Sequence, residues 1–184
     1  MNLETLETNR LLLKALTPAD IKYIFENHSK PQIKSILGHR TEEEYLLEEY
    51  KYLNGYSSYK SRFITFLLTD KASNQIIGRC GIHNWYAEHK RAEVGYHLQD
   101  ESFKRKGLMT EALGAVIQHG FEKLNLQRLE AVVGAKNIPS LLLMEKYNFI
   151  KEGLLRQYYF TGDKYEDSVL FSKLASEYIG SIKR

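Results

Sequence analysis

Apolar and polar positions change their period several times along this chain, and each change marks an element. Residues 10–16 form an apolar run of strand length. Thr17-Pro18-Ala19-Asp20 then starts a helix, with Thr17 as its N-cap and Pro18 at its first helical position. Ile21, Ile24 and Phe25 give that helix an apolar face. A second helix starts at Thr41-Glu42-Glu43-Glu44, where Thr41 and Glu44 have the spacing of a capping box, and it runs to about Leu53. Three strand-like segments follow at 63–69, 76–84 and 92–98. Polar turns at 70–74 and 86–90 separate them, so they predict an antiparallel meander. The period then lengthens. Met109, Ala112, Leu113, Val116, Ile117, Phe121 and Leu124 recur at the three- and four-residue spacing of an amphipathic helix. A strand at 129–133, a short helix at 138–147 and two strands at 149–159 and 167–174 complete the chain. This order predicts an α+β (mixed α/β) architecture. It has about seven strands in a mostly antiparallel mixed sheet, flanked by about four helices.

The 184 residues are expected to form one domain, 1–184, since three prolines and no Ser/Gly-rich linker interrupt them. Hydrophobic content of 43% and charged content of 27% exclude collagen-like, coiled-coil and disordered readings. Cys80 is the only cysteine, so no internal disulfide or cysteine zinc site can form, which fits a cytoplasmic location. Glu4 and Glu7 near the start argue against a signal peptide. Apolar runs such as 66–68 are far too short to cross a bilayer. No His, Asp and Glu grouping has metal-ligand spacing, so no metal is expected. The net charge of +3 is too mild to imply nucleic acid, and no basic stripe interleaved with aromatics is present.

Where that charge sits matters more than its size. Lys104, Arg105 and Lys106 sum to +3, and the remaining basic and acidic residues cancel. The three cations precede Gly107, Leu108, Met109 and Thr110 at the start of the long helix. Free N–H groups at a helix start, a glycine that permits close approach, and neighbouring cations are what a phosphate needs. The segment is neither a Walker loop nor a dinucleotide fingerprint.

Two stretches then become specific: Ala92-Glu93-Val94-Gly95-Tyr96-His97-Leu98, and Lys106-Gly107-Leu108-Met109-Thr110-Glu111-Ala112-Leu113. Together with Asn137-Ile138-Pro139-Ser140, Asn148-Phe149 and Glu152-Gly153, they resemble the acetyl-CoA core of the GNAT superfamily. Leu6-Glu7-Thr8-Asn9-Arg10-Leu11, Glu152-Gly153-Leu154-Leu155-Arg156, and Gly162 with Asp167 resemble its RimJ/RimL branch, the ribosomal-protein N-terminal acetyltransferases. The resemblance covers nearly the whole chain. It implies the GNAT fold and an N-acetyltransferase that passes an acetyl group from acetyl-CoA to a primary amine in a ternary complex. The implied acceptor is the N-terminal amine of a ribosomal or other protein. A polyamine or aminoglycoside amine is the alternative, as is a degenerate acyl-CoA-binding module without turnover. A monomer or homodimer is expected.

The resemblance also implies roles. The family's pyrophosphate loop reads Gln or Arg, two residues, Gly, one residue, then Gly or Ala. Placing Gly107 at the fixed glycine puts Lys104 first and Met109 last, both departures from the pattern. Lys104 keeps the positive charge and Met109 its backbone N–H. Arg105 and Lys106 are placed to reach the 3′-phosphate. Tyr96, His97 and Leu98 fall where relatives pair strand backbone with the pantetheine arm and polarise the thioester carbonyl. Asn137 falls at a coenzyme contact and also suits a helix N-cap.

Acyl transfer to an amine requires a proton to leave the amine and a hydrogen bond or proton for the departing thiolate. The acid position of many relatives is Met144 here, which cannot donate. Ser140 takes that role in the resembling branch. Tyr147 stands as another acid or as a packing residue. A base position of some relatives is Val132 here, with Glu130 two residues away on the same strand face; the resemblance implies Glu93, at an acidic position common in the branch, as the candidate base, with His83 and His97 behind it. Glu42, Glu43, Glu44, Glu48 and Glu49 on the second helix would suit a cationic acceptor, or form a solvated face. Trp85, Tyr158, Tyr159 and the tyrosines around that helix could line an acceptor cleft.

Overall fold

The structure, a computed structural model, describes residues 3–55 and 62–182. Its strands are β1 (Thr5–Glu7), β2 (Leu11–Leu16), β3 (Arg62–Asp70), β4 (Gln75–Tyr86), β5 (Arg91–Leu98), β6 (Arg128–Gly134), β7 (Ile150–Thr161) and β8 (Lys164–Leu174). Its helices are α1 (Pro18–Asn27), α2 (Lys30–Leu37), α3 (Glu42–Asn54), α4 (Leu108–Glu122), α5 (Ile138–Lys146) and α6 (Ala175–Ile182). The strands form one sheet in the order β1-β2-β3-β4-β5-β6-β8-β7, antiparallel throughout except between β5 and β6. This is the GNAT fold.

The expected capping signals are in place. The Thr17 hydroxyl accepts from the Asp20 N–H at the start of α1, and the Thr41 hydroxyl accepts from the Glu44 N–H at the start of α3. Both close the first turn and fix where each helix enters. Three elements exceed the expected set. β1 has three residues, too few for a readable alternation, and is held by pairing with β2. α2 has only eight residues, and its Ile33, Ile36 and Leu37 make a single apolar turn too short to stand out in the sequence; Gln32 accepts from the Ser29 N–H at its start. α6 is a short terminal helix after β8.

Alternation along the strands builds two cores. Phe66 and Leu68 face the cluster under α4, which also holds Leu113, Val116 and Ile117. Leu67, between them, faces the opposite cluster with Ile21, Ile24, Ile33, Leu37 and Tyr45 from α1, α2 and α3. The sheet is therefore covered on both faces. Among the described residues no helix is long and apolar enough to cross a membrane.

Candidate functional site

The site begins where the sheet comes apart. β5 and β6 pair through only three residue pairs, Arg91 with Arg128, Ala92 with Leu129 and Glu93 with Glu130. Beyond Glu93, β5 continues on β4 and β6 continues on β8. The edge from Val94 to Leu98 is thus left without a strand partner on its β6 side, and its backbone groups face an open wedge. Behind the apex, the Arg128 guanidinium donates to both Glu152 carboxylate oxygens at 2.7 and 2.6 Å, and to Glu130 at 2.7 Å. Those hydrogen bonds, with one from Ser172, hold the Glu152 carboxyl at about 2, below its usual value of 4.5.

One cavity, of about 610 Å³, runs from the wedge along the start of α4. Of the residues the sequence placed against a coenzyme, Tyr96, His97, Leu98, Lys104, Arg105, Gly107, Leu108, Met109, Thr110, Asn137 and Ser140 all line it. Lys106 does not. Glu101, Phe103, Pro139 and Leu143 complete the lining; Pro139 belongs to the 137–140 stretch of the resemblance, and the other three went unnoticed in the sequence, where they are ordinary loop and helix residues. Lys104 is also less free than expected, because it forms an ion pair with Glu101.

The loop's backbone carries the anion chemistry. Arg105 has φ 58° and Gly107 φ 75°, both left-handed, which turns successive N–H groups toward one side. Gly107 is the N-cap of α4 and offers no side chain to cap it, so the first-turn N–H groups of Leu108, Met109 and Thr110 remain available. Arg10 holds this loop in place. Its guanidinium donates to the Lys106 carbonyl at 2.9 Å and to Glu111 at 2.7 Å, and the Arg10 backbone N–H donates to Glu111 at 2.6 Å. Thr8 donates to the same carboxylate at 2.6 Å. Thr8-Asn9-Arg10 belongs to a stretch noted only for its resemblance; its physical role is to brace the loop from the far end of the sheet.

The two acid candidates separate cleanly. Ser140 lies in the first turn of α5, its N–H bonded to the Asn137 side chain at 3.3 Å, and it faces the cavity. Beside it is the Tyr96 hydroxyl, buried and with no hydrogen-bond partner of good geometry. Burial raises the Tyr96 pKa and Ser140 acts against that rise, which places the two hydroxyls side by side. Sequence reasoning valued Tyr96 for its backbone alone and missed this hydroxyl. A buried hydroxyl with no hydrogen-bond partner among the described residues, on a residue that lines the cavity, suits a ligand that completes it. Tyr147, by contrast, lines neither this cavity nor the next one. Its hydroxyl donates to the Thr110 carbonyl and packs on Gly114 of α4, so the structure gives it a packing role.

A second cavity, of about 430 Å³, lies on the other side of β5 and shares Tyr96 and His97 with the first. Leu16, Ile21, Glu48, Lys51, Arg62, Arg79, Cys80, His83 and Asn84 are among its lining. A break in the β4 register between His83 and Tyr86, with Asn84 left-handed at φ 45°, turns this end of β4 toward β5. Glu93 then accepts from Asn84 at 3.0 Å, and its other oxygen lies 3.4 Å from His83 Nε2. Burial pushes the Glu93 pKa up, but His83 and Asn84 outweigh it, so the net shift is downward. The His83 ring lies against Gly95, where a Cβ would sit 2.8 Å from its Cε1, so the glycine leaves room for the ring. Burial first, then the nearby Arg79 charge, lowers the pKa of His97.

Of the α3 glutamates, Glu42, Glu43, Glu44 and Glu49 line neither cavity. Glu42 pairs with Lys30 and Lys34, Glu44 caps its own helix, and Glu49 accepts from the Tyr45 hydroxyl at 2.6 Å. Glu48 alone of the five lines the second cavity, where it binds Arg79 at 2.8 Å. Trp85, Tyr158 and Tyr159 line neither cavity, although Tyr159 is close enough to Glu93 for that charge to help raise its pKa behind burial. Tyr56 and Tyr59 lie outside the described residues.

Comparisons with known proteins agree with this geometry. A family described as "Acetyltransferase (GNAT) domain" matches residues 10–150. The uncharacterized N-acetyltransferase p20 of Bacillus licheniformis is 33% identical, over 97% of this chain and all of that protein. The ribosomal-protein-serine acetyltransferase of Escherichia coli is 26% identical, over 88% of this chain and 96% of that one. A spermidine N-acetyltransferase from Vibrio cholerae, solved in a dodecameric form, superposes with a TM-score of 0.69 at 22% identity. It covers 95% of this chain and 99% of its own, a likeness of fold.

Proposed function

The chain belongs to the GNAT acetyltransferase family, whose members use acetyl-CoA, and from that premise we propose that it acetylates the N-terminal α-amine of a protein or peptide. The observation that carries this reading is the meeting of two cavities at Tyr96 and His97, across an unpaired strand edge. The cavity at the start of α4 takes the coenzyme, with its pyrophosphate on the N–H groups after Gly107. The other takes the acceptor. Reaction is direct: the amine nitrogen attacks the thioester carbonyl, the C–N bond forms and the C–S bond breaks.

Each nearby residue has a task in that reaction. The open β5 edge supplies an N–H for the oxyanion. His83, in the lining of the acceptor cavity, accepts the amine proton. Glu93, 3.4 Å from its Nε2, orients the ring. Ser140 and the Tyr96 hydroxyl donate to the departing thiolate. Positioning of amine and thioester on one strand edge lowers the barrier further.

Similarity is even on this point: the ribosomal-protein-serine acetyltransferase and a spermidine N(1)-acetyltransferase of Vibrio cholerae are 26% and 25% identical to this chain over 88% and 93% of it. Chemistry favours an α-amine over a polyamine. An α-amine, with a pKa of about 7.7–8.0, sheds its proton far more readily than an alkylamine near 10.4. The polyamine reading rests on the similarity to the spermidine enzyme, but the described lining of the acceptor cavity carries Lys51, Arg62 and Arg79 against Glu48 alone. The deciding experiment is CoA-thiol release from acetyl-CoA with peptides, polyamines and aminoglycosides as acceptors. Peptides are expected to turn over at least about tenfold faster in kcat/KM. Faster turnover of spermidine would replace this reading with the polyamine one. Tight acetyl-CoA binding without turnover on any amine would leave only a coenzyme-binding module.

A further inference from the structure

The charges around the acceptor cavity are not evenly balanced. Its described lining holds one carboxylate, Glu48, and three cations, Lys51, Arg62 and Arg79. Glu48 and Arg79 satisfy each other. Their ion pair is 2.8 Å long, and only 8% of the Glu48 side chain is exposed. The other guanidinium nitrogen of Arg79 is occupied by the Leu37 carbonyl at 3.3 Å and by His39 Nε2 at 3.1 Å. That pair is a fixed, neutral part of the wall.

Lys51 and Arg62 are different. Among the described residues neither meets a carboxylate within ion-pair distance, and both are exposed at the mouth. Arg62 lies over the Trp85 ring, 5.8 Å from its centre, which supports the guanidinium while leaving its N–H edge free to bind. Lys51 sits on α3 one turn from Glu48, and its charge reaches into the cavity. Behind burial and Arg79, it helps to push the His97 pKa down. Two consecutive elements, the end of α3 and the start of β3, thus bring two uncompensated cations to one opening.

Uncompensated like charges beside a narrow cavity repel a second cation and attract an anion. The amine that reacts must itself be neutral, so a cationic mouth does not oppose it and even favours loss of its proton. A cation elsewhere on the acceptor would be repelled. A carboxylate on the acceptor would be attracted, and its grip at the mouth would aim the amine inward at Tyr96 and His97.

We propose that Lys51 and Arg62 form an anion subsite, and that the acceptor carries a carboxylate a short distance from its reacting amine. The inference rests on the acceptor reading above and narrows it to acidic amines. The carboxylate comes either from an acidic side chain near a peptide's N-terminus or from the α-carboxylate of a very short acceptor.

Four tripeptides with the same free first residue test this. One has Asp second and a C-terminal amide, one has Asn second and a free C-terminal carboxylate, one has Asn second and an amide, and one has Lys second and an amide. Steady-state kcat/KM is expected to be about tenfold higher for a carboxylate-bearing peptide than for the neutral one, and lowest for the Lys peptide. Whichever carboxylate wins identifies its source. The advantage should shrink at high salt, and Lys51→Glu or Arg62→Glu should reverse the ranking of the Asp and Lys peptides. Both side chains are exposed, and a thermal melt confirms that the variants are folded. Turnover indifferent to acceptor charge overturns the subsite but leaves an acetyltransferase. No thiol release with any peptide, despite acetyl-CoA binding by calorimetry, overturns the subsite and the acceptor reading together.

Discussion

The two cavities that meet at Tyr96 and His97 are built from different materials. The donor cavity relies on backbone: left-handed residues at 105 and 107, an uncapped helix start and an unpaired strand edge. The acceptor cavity relies on side chains, among them Glu48 and Lys51 from α3, Arg62 from β3, and Arg79 and His83 from β4. Backbone groups bind what every member of a family shares, since any sequence supplies them once the turn is right. Side chains bind what varies. The difference teaches where activity is set and where specificity is set.

The largest test of this contrast is Gly107→Glu. A left-handed N-cap tolerates a side chain only at a cost of roughly 1–2 kcal/mol, and a carboxylate there repels a pyrophosphate. Calorimetry should find CoA affinity reduced by roughly two orders of magnitude or more, with a melting curve that still shows a folded protein. Unchanged affinity would move the coenzyme off this loop. Next come the two hydroxyls. Ser140→Ala and Tyr96→Phe should each lower kcat by about 10- to 100-fold with the acetyl-CoA KM within about twofold, the mark of groups that act in the transition state. An equal fall in affinity would make them binding residues.

Arg10→Ala should sharpen the contrast further, because it loosens the donor loop while leaving the acceptor side untouched. We expect the acetyl-CoA KM to rise about fivefold and the acceptor KM to hold; a shift in both would mean that the cavities are coupled. The apex of the wedge serves both sides, and acid should reveal it. The Glu152 pKa is about 2 in the folded protein against 4.5 ordinarily, so its stabilising effect is complete above pH ~4.5 and is lost as pH falls toward 2. Denaturant melts over that window should steepen in wild type and flatten in Glu152→Gln. The smallest effect belongs to Tyr147→Phe. It should cost about 1 kcal/mol of stability through the lost bond to Thr110 and leave turnover within about twofold. A tenfold loss of kcat would restore Tyr147 as an acid candidate.

The same contrast explains what the sequence could convey. The donor loop is contiguous, so its glycine, its cations and the helix behind it can be read in one window, as can the capping boxes at Thr17 and Thr41. Arg10 and Glu111 are 101 residues apart, and no local pattern links them. The acceptor wall is worse still. The Glu-rich start of α3 reads as an acidic face, but which glutamate turns inward depends on Arg79, on a strand formed much later in the chain. Leu46, Leu47, Tyr50 and Leu53 are exposed on that helix while Glu48 is buried, the reverse of what binary patterning expects. Tyr147 stays open in the sequence for the opposite reason. Its sequence position sits near an expected acid, and only the packing against Gly114 reveals that its hydroxyl points away.

A sheet joined by three parallel rungs behaves, during folding, as two sheets. β1 to β5 with α4 form one unit of mostly sequential hairpins, and β6, β8 and β7 with α5 and α6 form another. The hairpins β3–β4, β4–β5 and β7–β8 close at low entropic cost, whereas β2–β3 and β6–β8 each span a long stretch of chain and the Arg91–Arg128 rung must wait for α4 to bring its ends together. Native-state hydrogen exchange should therefore resolve two cooperative units, with the amides on either side of the wedge opening at separate free energies. The gap proposed to admit a substrate is also the seam along which the protein is expected to open.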